Sequence, residues 1–191
     1  MTPRHRPVAV YADESCLGNG RDGENPGGAA GLIEYPSARG ERITRLDYWI
    51  SEPSTTNNRM ALRSAIEALQ ILSRKGNRLS VTFTSDSQYL VKGMREWVRA
   101  WKARGWRRKE GAIENLSLWQ EAYAASLSHD VDWQWVRGHN QHPQNEYADH
   151  LATRAAREQS NSGGPVPSLY EEWLGAQRAK GRIGASASPV R

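Results

Sequence analysis

The chain is poor in cysteine and in long apolar segments. It has one cysteine, Cys16, and no apolar run that approaches the roughly 18 residues of a membrane-spanning helix. A single cysteine excludes an internal disulfide framework and is typical of a reducing compartment. The N-terminal residues lead directly into a strand-like segment rather than into the apolar region of a signal peptide. These absences predict a cytoplasmic protein that does not span a membrane.

Two kinds of ligand site are also missing from the sequence. No cluster of histidine and cysteine has the spacing of a zinc site. The glycine-rich stretch 18–28 lacks the Gly-Lys-Ser/Thr ending of a nucleotide-binding P-loop, so a flexible hairpin is the better interpretation.

The length of 191 residues is that of one domain with an appendage. We expect a domain over residues 1–158, where the apolar patterns are periodic. Residues 159–191 begin with Gln-Ser-Asn-Ser-Gly-Gly-Pro and are predicted to be a linker and a C-terminal tail, disordered at its end. Ser168 is followed three residues later by Glu171, a capping-box pattern that predicts a short helix over 168–178.

The positive charge of the chain is concentrated in one segment. The formal net charge is +5, but residues 92–109 alone carry +7, from eight basic residues and one acid, which leaves −2 for the remainder. A localised basic surface is typical of a protein with a polyanionic partner. Trp97 and Trp101 lie four residues apart and share a helix face. One interpretation is a solvated helix whose Trp rings pack inward, and the other is a binding surface. The two are compatible if the rings anchor the helix while the Arg and Lys side chains face phosphate.

Apolar periodicity and turn residues give a coarse map of the elements. Strands are predicted at 7–13, 29–35, 42–51, 79–85 and 131–136, and the second and third form a hairpin. Helices are predicted at 57–73, 87–93, 95–104, 113–127 and 143–158. This order of elements indicates an α/β sandwich built on a mixed sheet.

Two of the predicted strands end in an aspartate, Asp13 and Asp86. If these strands are parallel neighbours, both side chains meet at the carboxyl edge of the sheet, where open α/β sheets place their sites. Asp149 follows Asn145 by one helical turn, so the two share a face. Acids held together repel one another unless cations lie between them. Mg²⁺ prefers oxygen ligands and substrate phosphate, and two such ions can promote hydrolysis of a phosphodiester.

Four motifs follow one another in a fixed order. They are Tyr-Ala-Asp-Glu-Ser-Cys at 11–16, Thr-Thr-Asn-Asn-Arg-Met at 55–60, Ser-Asp-Ser-Gln-Tyr at 85–89 and Gly-His-Asn-Gln-His-Pro-Gln-Asn-Glu at 138–146. In this order they resemble type 1 ribonuclease H, over residues 7–157. The resemblance implies a ribonuclease H-like α/β fold, with a mixed five-stranded sheet flanked by helices and a basic protrusion. It also implies metal-dependent endonucleolytic hydrolysis of the RNA strand of RNA–DNA hybrids, leaving 5′-phosphate and 3′-hydroxyl ends.

The resemblance further implies roles for individual residues. Asp13, Asp86 and Asp149 would bind Mg²⁺, or Mn²⁺ in its place, with two ions present when substrate is bound. His139 would assist proton movement or product release, and Asn145 would orient the attacking water or the phosphate. Residues matching contacts to the minor groove of the hybrid are Cys16, Asn19, Asn57, Asn58 and Gln88. Residues of the basic protrusion, which grips the DNA strand, are Trp97, Arg99, Trp101, Lys102, Arg104 and Trp106.

The chain departs from the family pattern in two acids. The family's metal-binding glutamate corresponds to Ala61, and the residue after Asp13, usually glycine, is Glu14. We hypothesise that Glu14 supplies the missing acid from the strand side, as a catalytic residue and metal ligand. The alternation of side chains along a strand argues against this, because Glu14 should point away from Asp13 unless a strand end or bulge redirects it.

Three alternatives stay open at this point. The first is a site built from three aspartates, with altered metal binding. The second is a chain that binds hybrids without cutting them, which includes the case that Ala61 is an inactivating change. A related nuclease of the same fold, acting on another substrate such as a DNA junction, is the third. A monomer is the expected oligomeric state.

Overall fold

A mixed sheet of six strands lies at the centre of the molecule. The computed structural model describes residues 7–18, 23–37, 41–138 and 142–183. The strands are β1 (Val8–Cys16), β2 (Gly27–Pro36), β3 (Ile43–Glu52), β4 (Ser80–Ser85), β5 (Asp130–Trp135) and β6 (Val166–Pro167). They are ordered β5-β4-β1-β2-β3-β6, with β4 parallel to both of its neighbours and the other pairs antiparallel.

The sheet has one strand more than the five that the resemblance implied. The additional strand, β6, pairs with Leu46 and Asp47 at the free edge of β3. No sequence pattern marks it, because a two-residue strand that contains proline shows no apolar alternation. The mixed sheet flanked by helices is otherwise as predicted, including the β2–β3 hairpin. Residues 38–40 of its turn lie outside the described part of the chain.

In the described part of the chain, six α-helices flank the sheet: α1 (Asn57–Ser73), α2 (Gln88–Lys92), α3 (Val98–Ala103), α4 (Leu116–Ser126), α5 (Pro143–Glu158) and α6 (Tyr170–Ala179). The bounds of α1 are those predicted, and the Thr56 side chain caps it by accepting a hydrogen bond from Arg59 N (3.3 Å). Among the described residues, no helix combines the length and the apolar character that crossing a membrane would require.

A π-helical turn, Gly93–Trp97, joins α2 to α3, where the sequence predicted two separate helices. Within it Val98 N donates to Gly93 O, five residues earlier. Gly93 packs against α4 so closely that a Cβ atom there would lie 1.9 Å from Cη2 of Trp119. The missing side chain at Gly93 therefore allows the largest ring of the core to lie against this helical segment.

Apolar side chains form a layer on each face of the sheet. Val10 and Ala12 of β1 pack with α1, α2 and α4 on one face, whereas Tyr11 packs with α5 and α6 on the other. Neighbouring side chains of a strand point to opposite faces, so β1 contributes to both layers. We call these the α1 layer and the α5 layer.

The residues after α5 follow the edge of the sheet. Ser162 N donates to Trp49 O (2.9 Å), and Asn161 Oδ1 accepts from Ser51 N (2.7 Å). The stretch predicted to be a linker is thus hydrogen-bonded to β3, because its polar side chains satisfy the backbone of that edge strand. α6 begins two residues later than the helix predicted at 168–178 and extends one residue beyond it. Residues 184–191 of the tail lie outside the described residues, and the division at residue 158 stays a prediction.

Candidate active site

The parallel pairing of β1 and β4 places two aspartates side by side. Ala12 lies opposite Ser85 in the register, so Asp13 and Asp86 emerge together where the parallel pairing of the two strands ends. β1 does not end at Asp13, as the strand predicted at 7–13 did, but continues to Cys16 because it stays paired with β2. Asp13 is buried, and Glu14 and Asp86 are half-buried. One carboxylate oxygen of each of these three residues lies within 4.8 Å of the other two. We call Asp13, Glu14 and Asp86 the three-acid cluster.

Glu14 reaches this cluster from the α1 layer. It continues the series of Val10 and Ala12 along β1, on the face opposite to Asp13. Burial, and to a smaller extent the charges of Glu67 and Glu14, raise the pKa of Tyr48, a phenol buried in the same layer. The predicted alternation therefore holds, yet the Glu14 carboxylate still meets Asp13, because both residues lie just past the last pair of β1 with β4 and the glutamate side chain is long.

Ala61 lies in the same layer, on the first helix. It is 1% exposed and packs with Ala65, Ala68 and Leu72, as the apolar stripe predicted. Ala61 on α1 and Glu14 on β1 thus face the same side of the sheet.

Burial and neighbouring acids raise the pKa values of Asp13 and Glu14. Burial, followed by the charges of Asp86 and Asp149, raises the pKa of Asp13 to about 8. Burial, followed by the charges of Asp13 and Asp86, raises the pKa of Glu14 well above its ordinary value, against a hydrogen bond to the Ser87 side chain. A nearby cation would favour the charged forms and reverse these shifts.

Asn145 and Asp149 approach the cluster from α5. Asn145 is 3% exposed, and its Nδ2 donates to Asp13 Oδ2 (3.1 Å). Its Oδ1 is buried and has no hydrogen-bond partner among the described residues. Asp149 lies one turn further along, where Thr153 Oγ1 donates to its Oδ1 (3.5 Å). It contributes charge at Asp13 but is not a member of the three-acid cluster.

The donor atoms assembled here are all oxygens. Three converging carboxylates and the unpaired Oδ1 of Asn145 match the ligand preference of Mg²⁺ and Mn²⁺. Carboxylates with raised pKa values also gain most from a bound cation. The residues present therefore fit a divalent metal ion.

Sequence reasoning missed two residues that hold Asp86. Trp135 Nε1 donates to Asp86 O (2.9 Å), so the ring spans the end of β4. A Cβ atom on Gly138 would lie 2.5 Å from Asp86 Oδ2, so a side chain there would have to displace the Asp86 carboxylate. Trp133 and Trp135 alternate as predicted, but Trp133 is buried and Trp135 is 43% exposed, because β5 extends past the core at the site edge. His139, which follows Gly138, lies outside the described residues.

The residues predicted to read the minor groove lie at the same edge. Cys16 ends β1, Asn57 and Asn58 begin α1, and Gln88 begins α2, two residues after Asp86. A Cβ atom on Gly27 would lie within 3.0 Å of both Thr55 Cγ2 and Cys16 Sγ, which shows how closely α1 approaches β1 here. Asn19 lies outside the described part of the chain.

In the basic segment 92–109 the Trp rings pack toward the core, whereas the basic side chains lie at the surface. Trp97 and Trp101 pack against Trp119 at centroid distances of 6.2 and 5.7 Å, and Trp106 packs against Tyr123 at 5.9 Å. The three rings are half-buried, whereas Arg99, Lys102 and Arg104 are exposed. The described structure therefore gives the Trp residues the position of anchors and leaves the charges exposed, although Lys102 Nζ also donates to the Tyr123 hydroxyl (3.0 Å).

Comparison with known proteins agrees with this geometry. The ribonuclease H family model matches residues 5–157. Ribonuclease HI of Caulobacter vibrioides is 43% identical over 159 residues, covering 83% of this chain and 96% of the relative. Ribonuclease H of Pelobacter propionicus is also 43% identical, covering 80% and 86% of the two chains.

A solved structure is similar over nearly the whole chain. The crystal structure of LC9-RNase H1, described as a type 1 RNase H with the type 2 active-site motif, is 58% identical with a TM-score of 0.86. It covers 96% of this chain, and 91% of its own chain is matched. The chain therefore belongs to the ribonuclease H family, the divalent-metal-dependent endonucleases that hydrolyse the RNA strand of RNA–DNA hybrids.

Proposed function

We propose that this ribonuclease H uses Mg²⁺, with Mn²⁺ as a substitute, and leaves 5′-phosphate and 3′-hydroxyl ends. Asp13, Glu14 and Asp86 are the proposed metal ligands, with Asp149 and the Oδ1 of Asn145 completing the site. The observation that carries the proposal is the convergence of three carboxylates within 4.8 Å at the end of β1 and β4.

In this proposal Glu14 replaces the family's metal-binding glutamate, whose position in this chain is occupied by Ala61. Both positions belong to the α1 layer, so the acid reaches the site from the same side of the sheet. The description of LC9-RNase H1 as a type 1 enzyme with the type 2 active-site motif supports a changed acid set in this chain also.

The proposed reaction is a displacement at phosphorus. A water attacks the phosphorus atom, the bond to O3′ of the upstream ribose breaks, and O3′ takes up a proton. Divalent ions held by the acids would stabilise the charge on the attacking and leaving oxygens. Asn145 Nδ2 orients the Asp13 carboxylate, Trp135 holds the backbone of Asp86, and Gly138 leaves space beside the Asp86 carboxylate. His139 is proposed to move the proton, for which its ordinary pKa of about 6.5 is suitable.

Recognition of the hybrid would use two surfaces. The short polar side chains of Cys16, Asn57, Asn58 and Gln88 would contact the wide, shallow minor groove, where the 2′-OH distinguishes RNA. Asn19 is proposed to join them. Arg99, Lys102 and Arg104 would bind phosphates of the DNA strand, with Trp97, Trp101 and Trp106 holding the segment in place. The enzyme is proposed to act as a monomer, which light scattering would test.

The test is cleavage of a labelled RNA–DNA hybrid in Mg²⁺ by the parent and by Glu14→Gln. We expect the variant to lose at least ~100-fold in activity, because even an outer-shell metal partner can be worth that much. Glu158→Gln, at an exposed position at the end of α5, is the matched control and should cut like the parent. Equal cleavage by parent and Glu14→Gln would show that the aspartates suffice.

Because Ala61 occupies the family's glutamate position, the same assay also tests a second candidate function, hybrid binding without cleavage. If the parent cuts in neither Mg²⁺ nor Mn²⁺ but retains hybrid binding, the chain is a binding module or an inactivated enzyme. Cleavage of a DNA junction in preference to the hybrid would instead indicate a related nuclease.

A further inference from the structure

A cavity adjoins the proposed site on the side of the C-terminal segment. It has a volume of about 360 Å³ and lies between α5, which contributes Asp149, and the segment that contributes Trp173, Gln177 and Arg182. The family model ends at residue 157, so one wall of this cavity is built from residues that the family pattern does not include.

This wall is firmly attached to the domain. Tyr170, Leu174 and Ile183 are buried in the α5 layer together with Tyr147 and Leu151. Leu169 N donates to Asp47 Oδ2 (3.2 Å), which fixes the start of α6. Ile183 is 3% exposed and follows Arg182 directly, so the backbone that carries Arg182 is held beside Asp149.

The end of the C-terminal helix is also a second basic surface. Residues 173–183 contain Arg178, Lys180 and Arg182 and no acid, although Glu171 and Glu172 precede them. All three basic side chains are exposed. Arg182 makes no ion pair with any described residue, although Glu146 and Asp149 line the same cavity.

We propose that this basic end is a second backbone-binding surface for the hybrid, in which Arg182 contacts a phosphate of the RNA strand beside Asp149. Arg182 and Gln177 are hydrogen-bond donors in the cavity, and a guanidinium binds phosphate with two parallel hydrogen bonds. The RNA strand is the expected partner because the strand that is cut must lie over the acids. The inference deepens the proposed function and depends on it for the identity of the substrate.

Binding is measured apart from cleavage, in an Asp86→Asn background, by anisotropy of a labelled hybrid over a range of salt concentrations. Arg182→Ala should weaken binding several-fold and lower the salt slope by about 1, the change expected for one lost phosphate contact. Arg182→Lys should keep most of the slope. Lys75→Ala is the matched control, since Lys75 is an exposed base that follows the end of α1, at the opposite edge of the sheet.

The contact itself is tested by neutralising single phosphates of the RNA strand as methylphosphonates. One position near the cleavage site should weaken binding by the parent but not further by Arg182→Ala, because the two changes remove the same contact. An unchanged salt slope, or losses that are additive at every phosphate of that strand, would overturn the proposal. If the parent does not cut but Arg182→Ala still binds the hybrid more weakly, the Arg182 contact is supported and the proposed hydrolysis is contradicted.

Discussion

At the scale of residues, the proposed site couples two positions, Glu14 and Ala61. Glu14 lies on β1, two residues before its end, Ala61 lies on α1, and both face the α1 layer. The Glu14 carboxylate already shares its space with Asp13 and Asp86. If Glu14 is the acid of the α1 side, as proposed, a further acid there would add repulsion to the three carboxylates that already converge.

Ala61→Glu should for this reason damage the enzyme rather than improve it. A second buried carboxylate beside Glu14 is expected to cost about 3 kcal/mol in the free energy of unfolding, as an uncompensated buried charge does. The double variant Ala61→Glu, Glu14→Gly should recover both stability and cleavage of the hybrid. Urea unfolding and the cleavage assay measure the two effects. Higher activity in the single variant would instead identify Ala61 as an inactivating change.

At the scale of elements, the packing of Gly93 against Trp119 controls the position of the basic segment. A Cβ atom at Gly93 would lie 1.9 Å from the Trp119 ring, on which Trp97 and Trp101 also rest. The π-helical turn and the packed rings therefore determine the position of α3 and its exposed basic side chains. A substitution that displaces the Trp119 ring should move those side chains as well.

Gly93→Ala is expected to lower the free energy of unfolding by about 1–3 kcal/mol, because overpacking forces the ring or the helix to shift. It should also weaken hybrid binding, since Arg99 and Lys102 move with the segment. Gly175→Ala is the control: a Cβ atom there meets nothing within 4 Å. That change within α6 should stabilise the protein by roughly 0.5–1 kcal/mol. Equal effects of the two variants would contradict the packing argument.

Elements with regular periodicity could be predicted from the sequence, and elements defined by contacts could not. α1 has its predicted bounds because Leu62, Ile66 and Leu69 repeat at helical spacing up to the turn at Gly76. The π-helical turn depends on Trp119, which is 26 residues away from Gly93 in the sequence, so no local pattern indicates it. β6 likewise exists only through its partner on β3. In the site, parallel strand ends predicted that Asp13 and Asp86 meet, whereas the contacts of Trp135 and Gly138 required the structure.

At the scale of the whole molecule, Asp47 joins three parts of the chain. It lies on β3, its Oδ2 accepts from Tyr147 of α5 (2.6 Å), and the same oxygen accepts from Leu169 N before α6. Burial raises the pKa of Asp47 above its ordinary value of 3.8, although these hydrogen bonds and Arg154 oppose the shift. The folded protein therefore binds this proton more tightly than the unfolded chain does.

Stability from Asp47 should be largest below pH 3.8 and be lost as the pH rises through the folded pKa. Asn cannot titrate, so the free energy of unfolding of the parent minus that of Asp47→Asn should fall with rising pH in the acid range. Urea unfolding at a series of pH values measures this difference, with Asp130→Asn, exposed on β5, as the control. A difference that rises with pH would mean that the hydrogen bonds outweigh the burial.

The pairing of β6 with β3 also affects the tendency of the protein to aggregate through its sheet edges. An uncovered edge strand presents a row of free N–H and C=O groups to which a strand of another molecule can add. Here Asn161, Ser162 and β6 occupy those groups along β3, and at the other edge β5 carries the exposed acids Asp130 and Asp132. We therefore expect the C-terminal segment to protect the edge of β3 from aggregation. A chain that ends at residue 158 would expose this edge and should self-associate through it.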